Sequence, residues 1–282
     1  MKVLTTRGEM RDLRDKTRAD KLSMGLVPTM GALHSGHLEL VSRALEDNDL
    51  VVVSIFVNPT QFDNPEDLEK YPRTLERDLE LLRERSPKIV VFAPEVSEMY
   101  TEAIVSEPWD FEGLDKVMEG AYRDGHFEGV ATIVSRLLLT VGPDRAYFGE
   151  KDYQQLQIIR QLVSNRNIPV EIVPCPIVRE EDGLAMSSRN QRLTKRLRKE
   201  ANFIYKCLIE AKSQFGMKNA IDIAENIRGQ FAKHPDFKLE YVEIADAATL
   251  MPIKSGDDAA KYRIFIAAFL GGIRLIDNMP LN

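Results

Sequence analysis

The sequence has few of the residues that stabilise small secreted or metal-bound proteins. Only two of its 282 residues are cysteines, Cys175 and Cys207, and they are far apart in the chain. This spacing disfavours a disulfide framework and a structural zinc site. No apolar run approaches the roughly 18 to 20 residues of a membrane helix, and the charged N-terminal segment lacks the apolar core of a signal peptide. We therefore expect a soluble, cytoplasmic protein that does not bind membranes.

Two common nucleotide-binding motifs are also missing from the sequence. There is no GxGxxG motif, which disfavours dinucleotide binding. Gly120 and Gly125 have the glycine spacing of a P-loop, but His126 stands where that motif requires lysine. The 38 Lys and Arg residues are outnumbered by 44 Asp and Glu residues, for a net charge of −6. This balance argues against nucleic-acid binding over the whole surface, although it does not exclude a local basic pocket.

Hydrophobic residues make up 44% of the chain, enough for a sizeable core. Through the first 180 or so residues, apolar runs typical of buried parallel strands alternate with segments of helical periodicity. The predicted strands are 24–28, 50–57, 88–93, 145–148 and 170–173. The predicted helices are 36–47, 72–85, 129–141 and 152–165. This alternation predicts an α/β fold with a parallel sheet and right-handed crossovers.

The pattern changes near residue 177. Two predicted helices, 194–215 and 219–232, are followed by predicted strands at 239–245, 262–269 and 273–276. Helices followed by clustered strands indicate a smaller α+β domain. We therefore expect an N-terminal domain over residues 1–176 and a C-terminal domain over residues 177–282.

The densest chemical signal is the segment 28–37, PTMGALHSGH, between the first predicted strand and the first predicted helix. A helix N-terminus at a strand's carboxyl end offers N–H groups and a positive dipole to phosphates. Gly31 and Gly36 would let the backbone approach a ligand closely. His34 and His37 would share a helix face and donate to phosphate oxygens. A zinc site built on this pair lacks the third protein ligand that it needs.

Three more segments carry polar side chains suited to a substrate. FVNPTQF at 56–62 follows the second predicted strand, and Asn and Gln side chains both donate and accept hydrogen bonds. GEKDYQQ at 149–155 offers Lys151 as a point charge for a triphosphate and Asp152 as a helix cap or ribose ligand. MSSRN at 186–190 places hydroxyl residues beside Arg189, as in a phosphate-gripping loop. Ordinary turns and helix caps are the alternative explanation of each segment taken alone.

Together, in this order and spacing, the four segments make the chain resemble the pantoate–β-alanine ligase family nearly from end to end. PTMGALHSGH is similar to the HIGH motif of the nucleotidylyltransferase superfamily, and MSSRN is similar to its KMSKS counterpart. The resemblance implies a Rossmann-like nucleotide-binding domain, a smaller C-terminal α+β domain and a homodimer. It also implies a reaction in which ATP and (R)-pantoate form pantoyl adenylate and pyrophosphate. β-Alanine then attacks the adenylate, giving pantothenate and AMP.

The resemblance implies a role for each matching residue. His37, His34 and Lys151 would be catalytic, with Mg²⁺ bridging the phosphates of ATP and Asp78 as a candidate for the magnesium shell. The implied ATP-binding residues are Met30, Gly31, Ala32, Leu33, His34, Ser35, Gly36, His37, Gly149, Glu150, Lys151, Asp152, Val178, Met186, Ser187, Ser188 and Arg189. The implied substrate-binding residues are Gln61 and Gln155, followed by Asn58, Tyr71, Glu119 and Arg123. The loop around 122–126 and the second domain would shield the adenylate from water.

Two other functions compete with this interpretation. Another adenylyl-transferring enzyme would share the His34–His37 motif, but FVNPTQF and the separate C-terminal domain argue against it. A non-catalytic nucleotide-sensing module would have the ATP-binding segments without catalysing a reaction. The joint presence of His34, His37, Lys151 and Arg189 argues against that function.

Overall fold

The computed structural model describes residues 1–62, 65–256 and 260–282. Contacts between Cα atoms divide the chain into two compact units. The first unit consists of Met1–Asp115, Glu119–Glu150 and Gln155–Pro176. The second consists of Lys116–Met118, Lys151–Gln154 and Ile177–Asn282. Two short segments of the N-terminal part of the sequence therefore belong to the second unit.

The first unit alternates strands with helices. Its strands are β1 (Lys2–Leu4), β2 (Met24–Thr29), β3 (Leu50–Ile55), β4 (Ile89–Phe92), β5 (Arg145–Gly149) and β6 (Glu171–Cys175). Its helices are α1 (Arg7–Ala19), α2 (Ser35–Asp47), α3 (Pro65–Glu69), α4 (Leu75–Arg83), α5 (Val96–Met99), α6 (Met118–Tyr122), α7 (His126–Val141) and α8 (Tyr153–Asn165). Helices α6 and α8 begin in the short segments that belong to the second unit. Turns of 3₁₀ helix occupy Pro59–Gln61 and Glu150–Asp152.

The six strands described in this unit form one parallel sheet in the order β1-β4-β3-β2-β5-β6. From β2, the chain adds strands first on the β3 side and later on the β5 side. The strand order therefore reverses between β2 and β5. In open α/β sheets, ligands bind beside the carboxyl ends of the strands at such a reversal.

The composition of the central strands explains why they are buried on both faces. In β3, the three consecutive valines Val51, Val52 and Val53 are fully buried. Because neighbouring residues of a strand point to opposite faces, this run needs cover on both sides of the sheet. Helix α2 supplies part of it, since its buried Val41 and Ala44 belong to the same hydrophobic cluster as Val51 and Val53.

The second unit is built around an antiparallel sheet. Its described strands are β7 (Phe237–Asp246), β8 (Tyr262–Leu270) and β9 (Ile273–Pro280), paired in that order. Its helices are α9 (Lys195–Glu200), α10 (Phe203–Gln214) and α11 (Ala220–Ala232), and a 3₁₀ turn occupies Ser188–Arg192. Buried side chains of α10 and α11, such as Leu208 and Ile227, share a core with Ile264 and Ile266 of β8. This is an α+β arrangement with its own core.

The structure confirms the predicted fold class, a parallel α/β sheet and a smaller α+β part. The predicted single helix over 194–215 is wrong, because a turn at 201–202 separates α9 from α10. The predicted helix over 72–85 is shorter than expected and begins after Thr74, so the proline at 72 precedes it. The N-terminal strand β1 and helix α1 were not predicted; β1, with 3 residues, is too short to give a pattern.

The two cysteines are buried thiols, Cys175 in the first unit and Cys207 in the second. Burial raises the pKa of Cys175 to about 11 and that of Cys207 to about 12, so both stay protonated at neutral pH. Among the described residues, no helix is both long enough and apolar enough to cross a membrane.

Gly129 in α7 packs directly against the 3₁₀ turn after β3, and this contact gives a stability prediction. A Cβ atom at Gly129 would lie 2.3 Å from the Thr60 carbonyl oxygen and 2.7 Å from the Gln61 amide nitrogen. Because both are backbone atoms, Gly129→Ala must move the helix or the turn. We expect a loss of about 1–3 kcal/mol in the free energy of unfolding, measured by urea denaturation.

Gly8→Ala is the matched control in the same unit. Its Cβ would meet only the Thr6 hydroxyl oxygen, at 3.9 Å, on the exposed side of α1. We expect this variant to be neutral or up to about 1 kcal/mol more stable. Equal stability of the two variants would contradict a close contact between α7 and the turn.

Candidate active site

The reversal of strand order brings three loops of the first unit to one edge of the sheet. Strands β3 and β5 are the two neighbours of β2, and all three run parallel. Their carboxyl ends lead into the 30–34 turn, the 58–61 turn and the Gly149–Glu150 segment. Three of the four predicted motifs therefore begin at adjacent positions, as parallel pairing requires.

The turn between β2 and α2 has an unusual backbone. Gly31 and Ala32 both have positive φ angles, 79° and 49°. Thr29 begins the turn: its hydroxyl donates to the Ser54 carbonyl oxygen at 2.8 Å and accepts from the Gly31 amide at 3.1 Å. A left-handed residue with a Cβ atom, such as Ala32, is unfavourable by itself and persists only where neighbours hold it.

Asp78 of α4 supplies hydrogen-bond acceptors to this turn. Its Oδ2 accepts from the Ala32 amide and its Oδ1 from the Leu33 amide, each at 2.9 Å. The Thr74 hydroxyl donates to the same Oδ1 at 3.2 Å. The residue is only 1% exposed. With three donors on a buried carboxylate, the geometry favours a role in holding the turn over the direct magnesium ligation that the sequence suggested.

His34 and His37 lie together at the start of α2. His34 is the N-cap residue, and its Nδ1 accepts from the Gly36 amide at 3.1 Å. The Nδ1 of His37 accepts from the His34 amide at 3.4 Å, and the ring centroids are 4.0 Å apart. A neutral imidazole that accepts at Nδ1 carries its proton on Nε2. Both rings are thus oriented to donate from Nε2.

His37 is partly shielded by its neighbours at the helix start. The ring is half-buried, because it packs against His34 and accepts from the capping residue's amide. The reciprocal hydrogen bonds form a capping box, in which histidines take the places usually held by Ser or Thr and Glu or Gln. The same two rings therefore cap the start of the helix, each through its Nδ1.

Asn58 and Gln61 form a polar cluster after β3. Asn58 is 1% exposed, and its Nδ2 donates to the Gly129 carbonyl oxygen at 3.0 Å and to Gln61 Oε1 at 3.2 Å. The Tyr100 hydroxyl donates to Asn58 Oδ1 at 2.6 Å. The Gln61 Nε2 donates to the Met30 sulfur at 3.3 Å. These bonds connect two of the predicted motifs through side chains.

His126 holds the backbone of Gln61, and Arg123 and Glu119 form a chain of polar contacts behind it. His126 contacts the Gln61 carbonyl oxygen through Nδ1 at 2.8 Å, so this nitrogen must be the donor. A neutral His126 then accepts through Nε2 from Arg123, whose Nη1 lies 2.9 Å away. The Arg123 Nη1 is also 3.6 Å from Glu119 Oε2. Arg123 and Glu119, predicted to bind substrate, therefore stabilise the turn that presents Gln61.

The other predicted residues of the first unit have simpler surroundings. Tyr71 is buried, with its ring edge-on to Phe62 at 5.6 Å between centroids. Gln155 is half-buried on α8. Gly149 ends β5, and a Cβ atom added there would meet no atom within 4 Å. Glu150 is half-buried and begins the 3₁₀ turn after β5.

In the second unit, the MSSRN segment follows a short hairpin. The Met186 amide donates to the Val178 carbonyl oxygen at 3.0 Å, and Arg179 pairs with Ala185 as an antiparallel bridge. Ser187 caps the next 3₁₀ turn by accepting from the Arg189 amide at 3.2 Å. Val178, Met186 and Ser187 are thus brought together, and Ser188 and Arg189 begin the turn.

A buried ion pair supports this hairpin. Arg179 donates to both carboxylate oxygens of Asp277, at 2.6 and 3.0 Å, and to the Gly183 carbonyl oxygen at 2.9 Å. Its guanidinium also lies over the Tyr205 ring, 4.6 Å from the centroid. Burial raises the pKa of Asp277, and hydrogen bonds from Arg179 oppose that rise. The pairing of both charges makes burial of the carboxylate tolerable.

Lys151 is positioned by strand β9. The Asn278 side chain donates from Nδ2 to the Lys151 carbonyl oxygen at 2.9 Å, and it accepts from Arg263. The Arg263 guanidinium lies over the Tyr153 ring at 4.0 Å. The Lys151 ammonium is 3.7 Å from the exposed Asp152 carboxylate. Asp152 thus pairs with its neighbour, where the sequence suggested a helix cap or a ribose ligand.

Tyr100 of the first unit, and Arg263 and Asn278 of the second, were not predicted from the sequence, and His126 was predicted only as part of the 122–126 loop. One signal was available for Arg263, which is a charged residue in an otherwise apolar strand, YRIFIAAFL, and is only 6% exposed. Such a residue needs buried partners. Tyr100 and His126 lie between the predicted strand 88–93 and the predicted helix 129–141, where no element was predicted and only tertiary structure reveals their contacts.

The whole chain is similar to a known family of ligases. The profile of the pantoate-beta-alanine ligase family matches residues 2–280. A pantothenate synthetase of Christiangramia forsetii is 56% identical over 95% of this chain and 94% of its own length. A pantothenate synthetase of Aquifex aeolicus is 51% identical over 97% of this chain and 96% of its own length.

Solved structures of the same family have the same fold. A pantothenate synthetase of Thermus thermophilus is 42% identical, with a TM-score of 0.91 over 100% of this chain and 99% of that one. A pantoate-beta-alanine ligase of Francisella tularensis, solved with beta-gamma ATP and beta-alanine, is 34% identical. Its TM-score is 0.82 over 100% of this chain and 98% of that one. The chain belongs to the pantoate–β-alanine ligase family.

Proposed function

We propose that this ligase joins (R)-pantoate to β-alanine in two half-reactions, with the histidine pair of α2 acting on the phosphates of ATP. The ATP-dependent ligation follows from membership of the family. The observation that carries the proposed roles is the orientation of His34 and His37. Both accept backbone hydrogen bonds at Nδ1 and so are set to donate from Nε2 at a helix N-terminus.

In the first half-reaction, a carboxylate oxygen of pantoate attacks the α-phosphorus of ATP. A bond forms between that oxygen and phosphorus, and the bond from the α-phosphorus to the bridging oxygen breaks. Pyrophosphate leaves with the electron pair, and the product is pantoyl adenylate. The protein supplies no covalent partner, so positioning and stabilisation of negative charge must provide most of the rate. Neutral Nε2–H groups stabilise that charge without needing a protonated histidine.

In the second half-reaction, the amine of β-alanine attacks the acyl carbon of the adenylate. The carbon–nitrogen bond forms and the bond from the acyl carbon to the phosphate oxygen breaks; AMP leaves with that electron pair, and the nitrogen releases a proton to solvent as the amide is completed. We propose that Gln61 and Gln155 hold pantoate and that Gln61 also contacts β-alanine. The fixed backbone of Gln61, held by His126 and by the contact of Asn58 with Gly129, supports this role because a rigid turn presents its amide at a defined position.

The remaining predicted residues are assigned to ATP. We propose that Lys151 and Arg189 neutralise the phosphates, and that Gly31, Gly36 and Gly149 allow the backbone to approach the nucleotide. The open space around Gly149 supports its assignment. The other assigned residues are Met30, Ala32, Leu33, Ser35, Glu150, Asp152, Val178, Met186, Ser187 and Ser188. We propose that Tyr71, Glu119 and Arg123 lie around the substrates and stabilise neighbouring residues there.

We propose Mg²⁺ as a partner of the ATP phosphates and not as an ion held directly by Asp78. The Asp78 carboxylate already accepts from two amides and a hydroxyl while 1% exposed, which fits poorly with a direct ligand. Magnesium at nucleotide sites is commonly bound by phosphates and water with few protein ligands.

We also propose that the chain has two domains, forms a homodimer and lies in the cytoplasm. A division into residues 1–176 and 177–282 is supported by separate hydrophobic cores in the two parts. A cytoplasmic location is supported by the two protonated, buried thiols, which suit a reducing compartment. A homodimer is supported by the family resemblance.

The two half-reactions can be measured separately. We expect the enzyme to exchange labelled pyrophosphate into ATP only when pantoate is present, because the reverse of adenylation needs the adenylate. Adding β-alanine should then release one AMP per pantothenate formed. Exchange that does not need pantoate would point to an adenylyltransferase with another acceptor. Binding of ATP with no exchange under any condition would point to a nucleotide sensor.

His37→Ala tests the histidine pair. We expect pantoate-dependent exchange to fall roughly 100- to 1,000-fold, the usual effect of losing one stabilising donor. Cooperative urea unfolding should be kept, since His37 lies half-buried at a helix start. Glu39→Ala, an exposed change two residues further along α2, is the control and should leave the exchange rate unchanged. A His37→Ala enzyme with normal exchange, or one without cooperative unfolding, would contradict the proposed role.

Sedimentation equilibrium tests the homodimer. We expect a mass twice the 32.0 kDa of the chain at micromolar concentration. A single species of 32.0 kDa would overturn this part of the proposal without affecting the chemistry.

A further inference from the structure

We propose that Asp78 is a positioning residue for adenylation: its buried carboxylate fixes the left-handed turn between β2 and α2 and so sets the position of His34 and His37. The inference rests on the proposed function, because it concerns how the histidine pair is held. It assigns Asp78 a role other than the magnesium ligand that the sequence suggested.

Asp78 accepts hydrogen bonds from the two backbone amides at the centre of the turn. Its two oxygens accept separately from consecutive amides, Oδ2 from Ala32 and Oδ1 from Leu33, both at 2.9 Å. Ala32 and Leu33 are themselves 6% and 4% exposed. Amides this deeply buried have little access to water and need an acceptor within the protein. The carboxylate provides it for both.

The backbone of the turn needs this support. Two consecutive residues, Gly31 and Ala32, lie in the left-handed region. Gly31 tolerates that conformation, but Ala32 has a Cβ atom and does not favour it. A Cβ atom at Gly31 would lie 3.1 Å from Asp78 Oδ2, so the glycine also leaves room for the carboxylate. The turn and the carboxylate therefore pack closely against each other.

The turn leads directly into the histidine pair. His34 follows Leu33 in the chain, and its own amide donates to His37 Nδ1. A change in the Leu33 peptide would therefore move the His34 amide, and with it both the N-cap and the ring of His37. The two rings already contact each other at 4.0 Å, so they would shift together. Asp78 acts on the reacting phosphates only through this connection.

Asp78→Asn is the informative change because it keeps the shape of the side chain. Either orientation of the new amide places an NH₂ group against the Ala32 or the Leu33 N–H, so one hydrogen bond is lost. We expect kcat for pantoate-dependent exchange to fall at least tenfold and up to roughly 100-fold, the effect of an approximately 1 Å misplacement. The KM for pantoate and the Mg²⁺ concentration giving half-maximal rate should stay within twofold.

Amide hydrogen exchange gives a readout that does not depend on activity. In the wild-type enzyme, we expect the Ala32 and Leu33 amides to be protected relative to an unstructured peptide. In Asp78→Asn, one or both should lose protection while the Val27 amide of β2 keeps it. Unprotected Ala32 and Leu33 amides in the wild type would overturn the proposal, even if the variant does not fold.

Thr74→Val is the matched control. It removes the third donor to Oδ1 but leaves the carboxylate and both backbone hydrogen bonds in place. Its kcat should stay within about twofold of the wild type. A normal kcat in folded Asp78→Asn, or a shifted Mg²⁺ dependence, would overturn the positioning role. If the wild type itself shows no pantoate-dependent exchange, the proposed function fails, which is a separate result.

Discussion

The position of β2 between β3 and β5 is the constraint on which the first unit depends. Because all three strands run parallel, their carboxyl ends meet at one edge of the sheet. Strands β2, β3 and β5 each lead into a segment with polar side chains: the histidine turn, the Asn58–Gln61 turn and the Gly149–Glu150 segment. A sheet with a different strand order would separate these segments, even with every local motif intact.

Local patterns were enough to predict the strands of this edge and the motifs that follow them. Runs such as LVVVSI specify a strand buried on both faces, and the glycines and histidines after β2 specify a turn into a helix. The sequence could not show that Asp78 would face the turn, since 46 residues separate it from Ala32. The family resemblance implied a place for Asp78 in the magnesium shell, which stays a prediction, and the structure gives its carboxylate two backbone amides and the Thr74 hydroxyl as partners.

The break between α9 and α10 shows a second limit of periodicity. Ala201 and Asn202 keep right-handed dihedral angles, with φ of −60° and −68°, so the local backbone remains close to helical. Leu197 and Ile204, on either side of the break, both contribute to the same core. Apolar spacing consequently continues through the interruption, and no proline or glycine marks it. Only the packing of the second unit determines where one helix ends and the next begins.

Each unit has a buried carboxylate that stabilises a functional segment, and the two are held differently. Asp277 supports the hairpin that contains Arg179, and Asp78 supports the turn between β2 and α2. Asp277 is paired with the Arg179 guanidinium, which neutralises its negative charge locally. Asp78 accepts from two amides and a hydroxyl, which satisfy its oxygens and leave the negative charge. A negative charge next to the residues that precede α2 is close enough to the helix start to be stabilised by the helix dipole. By the same argument it opposes binding of an anion there, so the proposed ATP site would need cationic groups outside the turn. The net charge of −6 gives no sign of this, because the balance that matters is set by the few groups around the turn.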